Sequence, residues 1–436
     1  MTTPAPRSTD LSAAPDAAQV LAAKRAVGVV FGVNGLLVAS LISRLPAVRD
    51  LLHLTPGGLG LLLLAVSGGA VSALLGSGVV VHRLGPVRAV LLPAAVMAVS
   101  LAVVGATPAM PVLVVALVLL GAGTSVWDVA MNVEGARVEQ LVGRAIMPRF
   151  HAGFSLGTVV GAGIGAAAAA LDVPVSWHLQ AVALVGLVAV AVAVRRFVAV
   201  PGDVEQPAAQ GGRGSSGVLR AWREPRTVLI GLLVLGMAFS EGSANDWLAV
   251  GLVDGYHVDH AVAALGFGAF VTAMTAARMA GPAVLARYGR VLAVRCGALL
   301  VGLGVVAVVI GAQVQSVAGR GGSLAVAGIG ALAWGAGAAL GFPVGMSAAA
   351  DDPARAAARV SVVSSIGYVA FLAGPPVLGL LGDQVGVVRA LLAVGGAVLL
   401  SLAAAGSLRP LPTVAVPGEP LRAAAVVEVT RPDPFS

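Results

Sequence analysis

The sequence predicts an all-α integral membrane protein of twelve transmembrane helices in two six-helix halves, and three observations carry that reading. Apolar stretches of about 20 residues, the length one bilayer crossing needs, recur along nearly the whole chain. Charged residues fill only 11% of the 436 positions, against about 25% in soluble domains. Arginine and lysine gather in alternate connections, and short motifs return at a near-constant offset in the second half. With 58% hydrophobic residues and a mean hydropathy of +0.96, a soluble globular protein is excluded. The 58 glycines sit inside apolar runs, as in membrane helices whose backbones approach closely. The net charge of +7 lies in short connections, so it reads as a topology signal and not as a nucleic-acid surface. A single cysteine, Cys296, leaves no internal disulfide to form.

Taken in order, the chain opens with residues 1–23, polar and rich in Ala, Pro and Thr, expected to be a disordered cytoplasmic tail. Six spans follow within an N-terminal half, 24–196, at roughly 26–43, 58–81, 87–106, 111–132, 152–171 and 177–194. The first is longer than a signal-peptide core and runs into Arg44-Leu45-Pro46, so it is read as retained. The central segment 197–226, rich in Gly, Ser, Pro and Arg, is expected to be a cytoplasmic loop. A C-terminal half, 227–409, holds six more spans at roughly 227–249, 262–285, 291–312, 323–346, 361–382 and 388–407. Residues 410–436 are Pro-rich and expected to form a disordered cytoplasmic tail.

Orientation follows from the basic residues. If the N-terminus is internal, 22 of the 27 Lys and Arg fall in internal segments. Only Arg44, Arg49, Arg320 and Arg389 fall in external ones, and Arg278 lies within a span. This positive-inside bias predicts a multi-pass protein of a bacterial plasma (inner) membrane with both termini cytoplasmic.

The halves repeat in sequence. His82-Arg83-Leu84-Gly85-Pro86-Val87-Arg88-Ala89-Val90 aligns with Ala286-Arg287-Tyr288-Gly289-Arg290-Val291-Leu292-Ala293-Val294 at an offset of 204. Gly121-Ala122-Gly123 returns as Gly335-Ala336-Gly337 at an offset of 214, which also sets Gly153-Phe154 on Gly367-Tyr368. Parallel repeats of this kind suit alternating access about a central site.

Polar residues inside spans are candidate sites, because a carboxylate at the bilayer centre costs about 2.5–3.5 kcal/mol on insertion scales. Asp128 and Asn132, four apart, share one helix face. Their repeat partners are Phe342 and Met346, so this polar pair is an addition to one half. Asp128 reads as a proton-linked carboxylate, or as a gate acid paired with Arg137 or Arg149. In the seventh span Glu241 and Asn245 share a face, with Asp246 and Trp247 further along. Asn34 aligns with Glu241 at an offset of 207, and each precedes a glycine. His151, near the start of the fifth span, titrates in the useful range for coupling. Trp127, Trp247 and Tyr368 offer aromatic faces to a solute or to neighbouring helices. Arg278 either snorkels to the interface or pairs with a cavity acid. The sequence shows no metal cluster, phosphate-cradling loop or nucleophile–base pair, so neither an enzyme nor a cofactor is expected.

Over nearly its whole length the chain resembles the major facilitator superfamily. Gly78-x-x-x-His82-Arg83-x-Gly85 is similar to that superfamily's signature cytoplasmic loop, with His82 in place of the acid and Pro86 in place of an arginine. The resemblance implies gating roles for His82, Arg83 and Arg88 and for Arg287 in the repeat, and Arg278 is grouped with them. A closer resemblance is to the MosC-like, rhizopine-related branch. It rests on Asn34-Gly35, Arg44-Leu45-Pro46-Ala47-Val48-Arg49-Asp50, Trp127-Asp128-Val129-Ala130-Met131-Asn132, Met147-Pro148-x-Phe150-His151-Ala152-Gly153 and Glu241-Gly242-x3-Asp246-Trp247. Asp128-x-x-x-Asn132 also resembles a fourth-helix pattern of fucose-permease-like carriers, in which the acid is implicated in sugar binding and proton coupling.

The expected function is secondary active transport of a small organic solute, proton-coupled, with protons, solute and lipids as partners. No nucleic acid and no obligate protein partner is expected. The alternatives are a drug:proton efflux pump for lipophilic compounds and a non-transporting membrane sensor.

Overall fold

The computed structural model describes residues 15–143, 146–198, 215–352 and 355–410. Its helices are α1 (Ala17–Ser43), α2 (Leu45–Leu51), α3 (Pro56–Val104), α4 (Met110–Val142), α5 (Met147–Ala170), α6 (Val175–Ala193) and α7 (Ser215–Ala221). The second half adds α8 (Pro225–Tyr256), α9 (His260–Gln313), α10 (Gln315–Ala338), α11 (Gly341–Ala349), α12 (Ala356–Val385), α13 (Val387–Ala390) and α14 (Ala393–Ala404). Among the described residues, ten helical stretches are long and apolar enough to cross a membrane. Two of these, α3 with 49 residues and α9 with 54, are each two spans joined at a glycine kink. Ten stretches therefore make the twelve predicted spans.

Those kinks carry the sequence repeat into backbone geometry. Gly85 has φ 70° and ψ 168°, and Gly289 has φ 72° and ψ 168°. Both lie where an L side chain is strained, which is why the 82–90 and 286–294 segments keep glycine while their neighbours differ. The helices that lead into the kinks begin alike. Thr55 accepts from the Gly58 backbone N–H at 3.1 Å, and Asp259 accepts from that of Val262 at 2.8 Å. Helix packing repeats too. A Cβ on Gly121 would collide with the carbonyl of Val66, and one on Gly335 with the carbonyl of Phe270, so α4 and α10 each need a bare backbone there.

Each half has its own apolar core. One is built around Phe31, Met97, Leu101 and Trp127, the other around Trp247, Phe267, Phe270 and Trp334. The turns at Gly85 and Gly289 define one face of the molecule, here the basic face, which carries most of the arginines. At the opposite face the halves meet: Ala39, Leu45, Leu59, Leu63 and Ala162 of the first half join the second half's core.

Three sequence boundaries shift. Residues 17–23 were expected to be disordered. They are helical, because Asp16 and Gln19 form a reciprocal cap that starts α1 at Ala17. The fourth span does not stop at Asn132. Helix α4 continues to Val142, where left-handed Gly143 (φ 70°) ends it, so Asp128 lies mid-helix. The tenth span breaks near Leu340 into α10 and α11. The chain before residue 15, most of the central loop (199–214) and the C-terminal tail from 411 lie outside the described residues.

Candidate functional site

The mid-height polar side chains that remain accessible belong to helices of both halves. Asp128 is exposed and Asn132 half-buried on α4. Asn132 Nδ2 donates to the Asp128 carbonyl oxygen at 2.8 Å and to its Oδ1 at 3.3 Å, so the two form one unit, as their spacing predicts. Arg137 pairs with Glu134 at 3.7 Å, also on α4. Tyr368 of α12 comes from the other half and lies within electrostatic range of the Asp128 carboxylate.

On the other wall, Arg278 of α9 reaches Glu241 of α8, with Nη2 at 2.9 and 3.0 Å from the two carboxylate oxygens. The side chains keep 31% and 19% of their surface, so the pair is accessible at the depth of the spans. Arg278 Nε also donates to the Ala339 carbonyl at 3.3 Å. That carbonyl would receive a helical bond from residue 343, but Pro343 has no N–H to give. Pro343 thus breaks α10 from α11 and leaves an acceptor that helps to hold the guanidinium. Of the two positions the sequence left open for Arg278, at the interface or against an acid within the spans, the side chain takes the second, in an ion pair with Glu241.

His151 faces Arg278 across the halves, close enough to feel its charge. It is exposed, and its ring meets Phe31 edge-on at 5.2 Å. The start of α5 is fixed by Glu139, whose Oε2 accepts from the backbone N–H groups of Ile146 and Met147, both at 2.6 Å. An acid at that helix start satisfies orphan donors and suits the dipole. Asn245 and Asp246 are half-buried on α8.

Three candidates sit elsewhere. Asn34 is 2% exposed, and Trp127 and Trp247 have no exposed surface. All three are packed within their own halves, where the indoles anchor the cores. Asn34 precedes Gly35, at which α1 passes against the backbone of Phe154 on α5. Their polarity or size drew notice in the sequence, but burial depends on which face of the helix meets a neighbour, and no periodicity in such uniformly apolar helices marks that face.

The signature-loop residues His82, Arg83, Arg88 and Arg287 are all exposed on the basic face. Arg287 lies 5.5 Å over the Tyr288 ring. A bonded network that joins several helices on that face lies in the second half. Asp351 accepts from Arg290 Nη1 at 2.6 Å and from Arg226 Nη2 at 2.8 Å, and Glu224 accepts from Arg359 Nε at 2.6 Å. Sequence reasoning passed over these residues, although Arg290 stands where the first half has Pro86.

Two helix bundles of parallel repeat, meeting at one face and lined between by accessible charged groups, define a polytopic carrier fold and not an enzyme. The chain belongs to the Major Facilitator Superfamily, whose family model matches residues 27–334. An uncharacterized transporter of Sinorhizobium fredii is 31% identical over 82% of this chain and 91% of its own length. The membrane protein MosC of Rhizobium meliloti is 26% identical over 84% of this chain and 85% of its own. Among solved structures, a point mutant of the nucleoside transporter NupG superposes with a TM-score of 0.72 at 13% identity. That match covers 89% of this chain and all of the other. The transporter FucP in its outward conformation gives 0.60 at 14% identity, over 90% of this chain and all of the other. The protein is therefore a multi-pass membrane transporter of the alternating-access type.

Proposed function

We propose that this carrier moves a small polar organic solute in symport or antiport with protons, through the cavity between Asp128–Asn132–Tyr368 and Glu241–Arg278–His151. The Glu241–Arg278 pair is the observation that carries the reading. An ion pair held open to a cavity is costly to leave half-neutralised when that cavity closes, since one uncompensated buried charge costs about 3–5 kcal/mol. A proton on Glu241 frees Arg278 for a solute acceptor group, and loss of the proton restores the pair. Asp128, hydrogen-bonded by the neutral amide of Asn132, is the second protonatable group. Asn132, Asn245, Asp246, His151 and Tyr368 supply donors, acceptors and a ring face for a hydroxylated solute. So many hydrogen-bonding groups on one cavity favour a polar solute over a lipophilic drug, because unpaired polar groups would be left behind by the latter.

The 22-to-4 distribution of basic residues supports a cytoplasmic basic face, with both termini inside the inner membrane of a bacterium. A thermal-shift screen of the purified protein against sugars, inositol derivatives, nucleosides and lipophilic drugs, followed by flux of each hit in proteoliposomes, tests the assignment. Flux of a polar hit is expected; flux confined to lipophilic compounds, or binding without flux, refutes it.

A further inference from the structure

The face opposite the basic turns is held shut by charged side chains. Arg49, in the last turn of α2, donates from Nη1 to Asp254 Oδ2 at 2.7 Å, and from Nη2 to its neighbour Asp50 Oδ1 at 2.9 Å. Asp50 Oδ2 lies 2.9 Å from His260 Nε2 at the start of α9. The Gly57 N–H, in the first turn of α3, donates to Asp383 Oδ1 of α12 at 3.0 Å. Arg49 and Gly57 belong to the first half and Asp254 and Asp383 to the second, while Asp50 and His260 cross the same boundary the other way.

The three acids share one feature. Asp50, Asp254 and Asp383 each stand in the last turn of their helix, where the helix dipole repels a carboxylate. Each receives a compensating donor from the other half, and Asp383 lands on a helix start, where its charge is favoured. Separation of the halves at this face therefore strips all three acids of a partner at once. Asp50 and Asp254 are also repeat partners at the offset of 204, so one helix-end acid is used twice. Burial works against the Asp50 carboxylate, yet the hydrogen bonds and charges of Arg49 and His260 outweigh it and hold its carboxyl below the usual range.

We infer that Arg49, Asp50, Asp254, His260 and Asp383 are the gate of this face, which must come apart for the cavity to open there. This rests on the alternating-access reading but not on proton coupling, and it stands whether or not Glu241 carries the proton.

The test uses Cys296→Ser protein with a cavity reporter, Tyr368→Cys, labelled by a membrane-impermeant thiol reagent in vesicles of both orientations. A separate His53→Cys reporter, exposed on the gated face, shows which orientation presents that face, so membrane sidedness is measured independently. From the gated side, Arg49→Ala is expected to raise labelling of the cavity reporter about fivefold, the effect of losing roughly 1 kcal/mol of closure. The swap Arg49→Asp with Asp254→Arg is expected to bring it back toward the parent level. If Arg49→Ala does not yield folded protein, Asp383→Asn carries the same expectation. Parent-level labelling in a folded Arg49→Ala or Asp383→Asn variant, or a swap that labels as strongly as Arg49→Ala, overturns the inference.

Discussion

The two six-helix halves use one scaffold and equip it differently. Gly121 and Gly335 take the same place between helices, Gly85 and Gly289 turn with matching dihedrals, and Thr55 and Asp259 cap equivalent helices. The polar and charged groups within the spans do not repeat. The first half offers a self-contained Asp128–Asn132 unit on one helix. The second offers an ion pair between two helices, Glu241–Arg278, buttressed by a carbonyl that Pro343 leaves free. What must be alike for the halves to rock against each other is backbone contact; what differs is the chemistry presented to the solute. Duplication supplied the first and divergence the second.

Equality of the scaffold is the sharpest part of the comparison, and its disruption has the largest expected effect. Gly121→Val and Gly335→Val each press a side chain into a neighbouring backbone carbonyl. Both are expected to cost at least about 3 kcal/mol, read as loss of monodisperse protein after extraction. A severe loss from one and none from the other would break the repeat as a packing principle.

The charged groups should behave unequally. Arg278→Ala leaves Glu241 without its partner, whereas Phe342→Leu, at the repeat position of Asp128, removes no polar contact. Solute binding is expected to fall by about tenfold or more in the first and by less than about twofold in the second, measured by titration of the screened ligand.

The basic face gives a smaller contrast. Arg290→Ala removes one of two guanidinium partners from Asp351, and is expected to cost about 1 kcal/mol. Pro86→Ala, at the matching place in the first half, is expected to be within about 0.5 kcal/mol of neutral. Thermal unfolding of both variants checks the pair.

The smallest effect is in acid. Hydrogen bonds and charge from Arg359, aided by Thr227 and Arg355, hold the Glu224 carboxyl below its ordinary value. A depressed folded value means that the contact stabilises fully above the unfolded glutamate value of about 4.3. Its contribution then fades as pH falls through the lower folded value. Glu224→Gln should therefore flatten the acid side of the stability profile and change little at pH 7 beyond the lost contact.

Much of this was legible in the chain because the bilayer writes in length and hydropathy. All twelve spans, the two glycine turns and Asp128 came from runs, repeats and one misplaced charge. The end of α4 was not legible, since hydropathy stops near Asn132 while the helix runs on to Gly143 as a polar extension. The Arg278–Glu241 pair had been one of two options for Arg278, and Pro343 was the overlooked signal that a carbonyl four residues earlier would need a donor. The gated face was the hardest to foresee. Arg49 and Asp254 are 205 residues apart, and only the offset linking Asp50 to Asp254 hinted that acids at helix ends would matter. Burial of Asn34, Trp127 and Trp247 was hidden for the reason that made the spans obvious: helices apolar all round do not declare their inner face.

Proton coupling by two acids, one from each half, is the central claim. It is tested most directly by solute accumulation under an imposed pH gradient in proteoliposomes, comparing the parent with Asp128→Asn/Glu241→Gln. The account predicts that the double variant still exchanges solute for solute but no longer accumulates it against a gradient. Accumulation at the parent level in the double variant would contradict it.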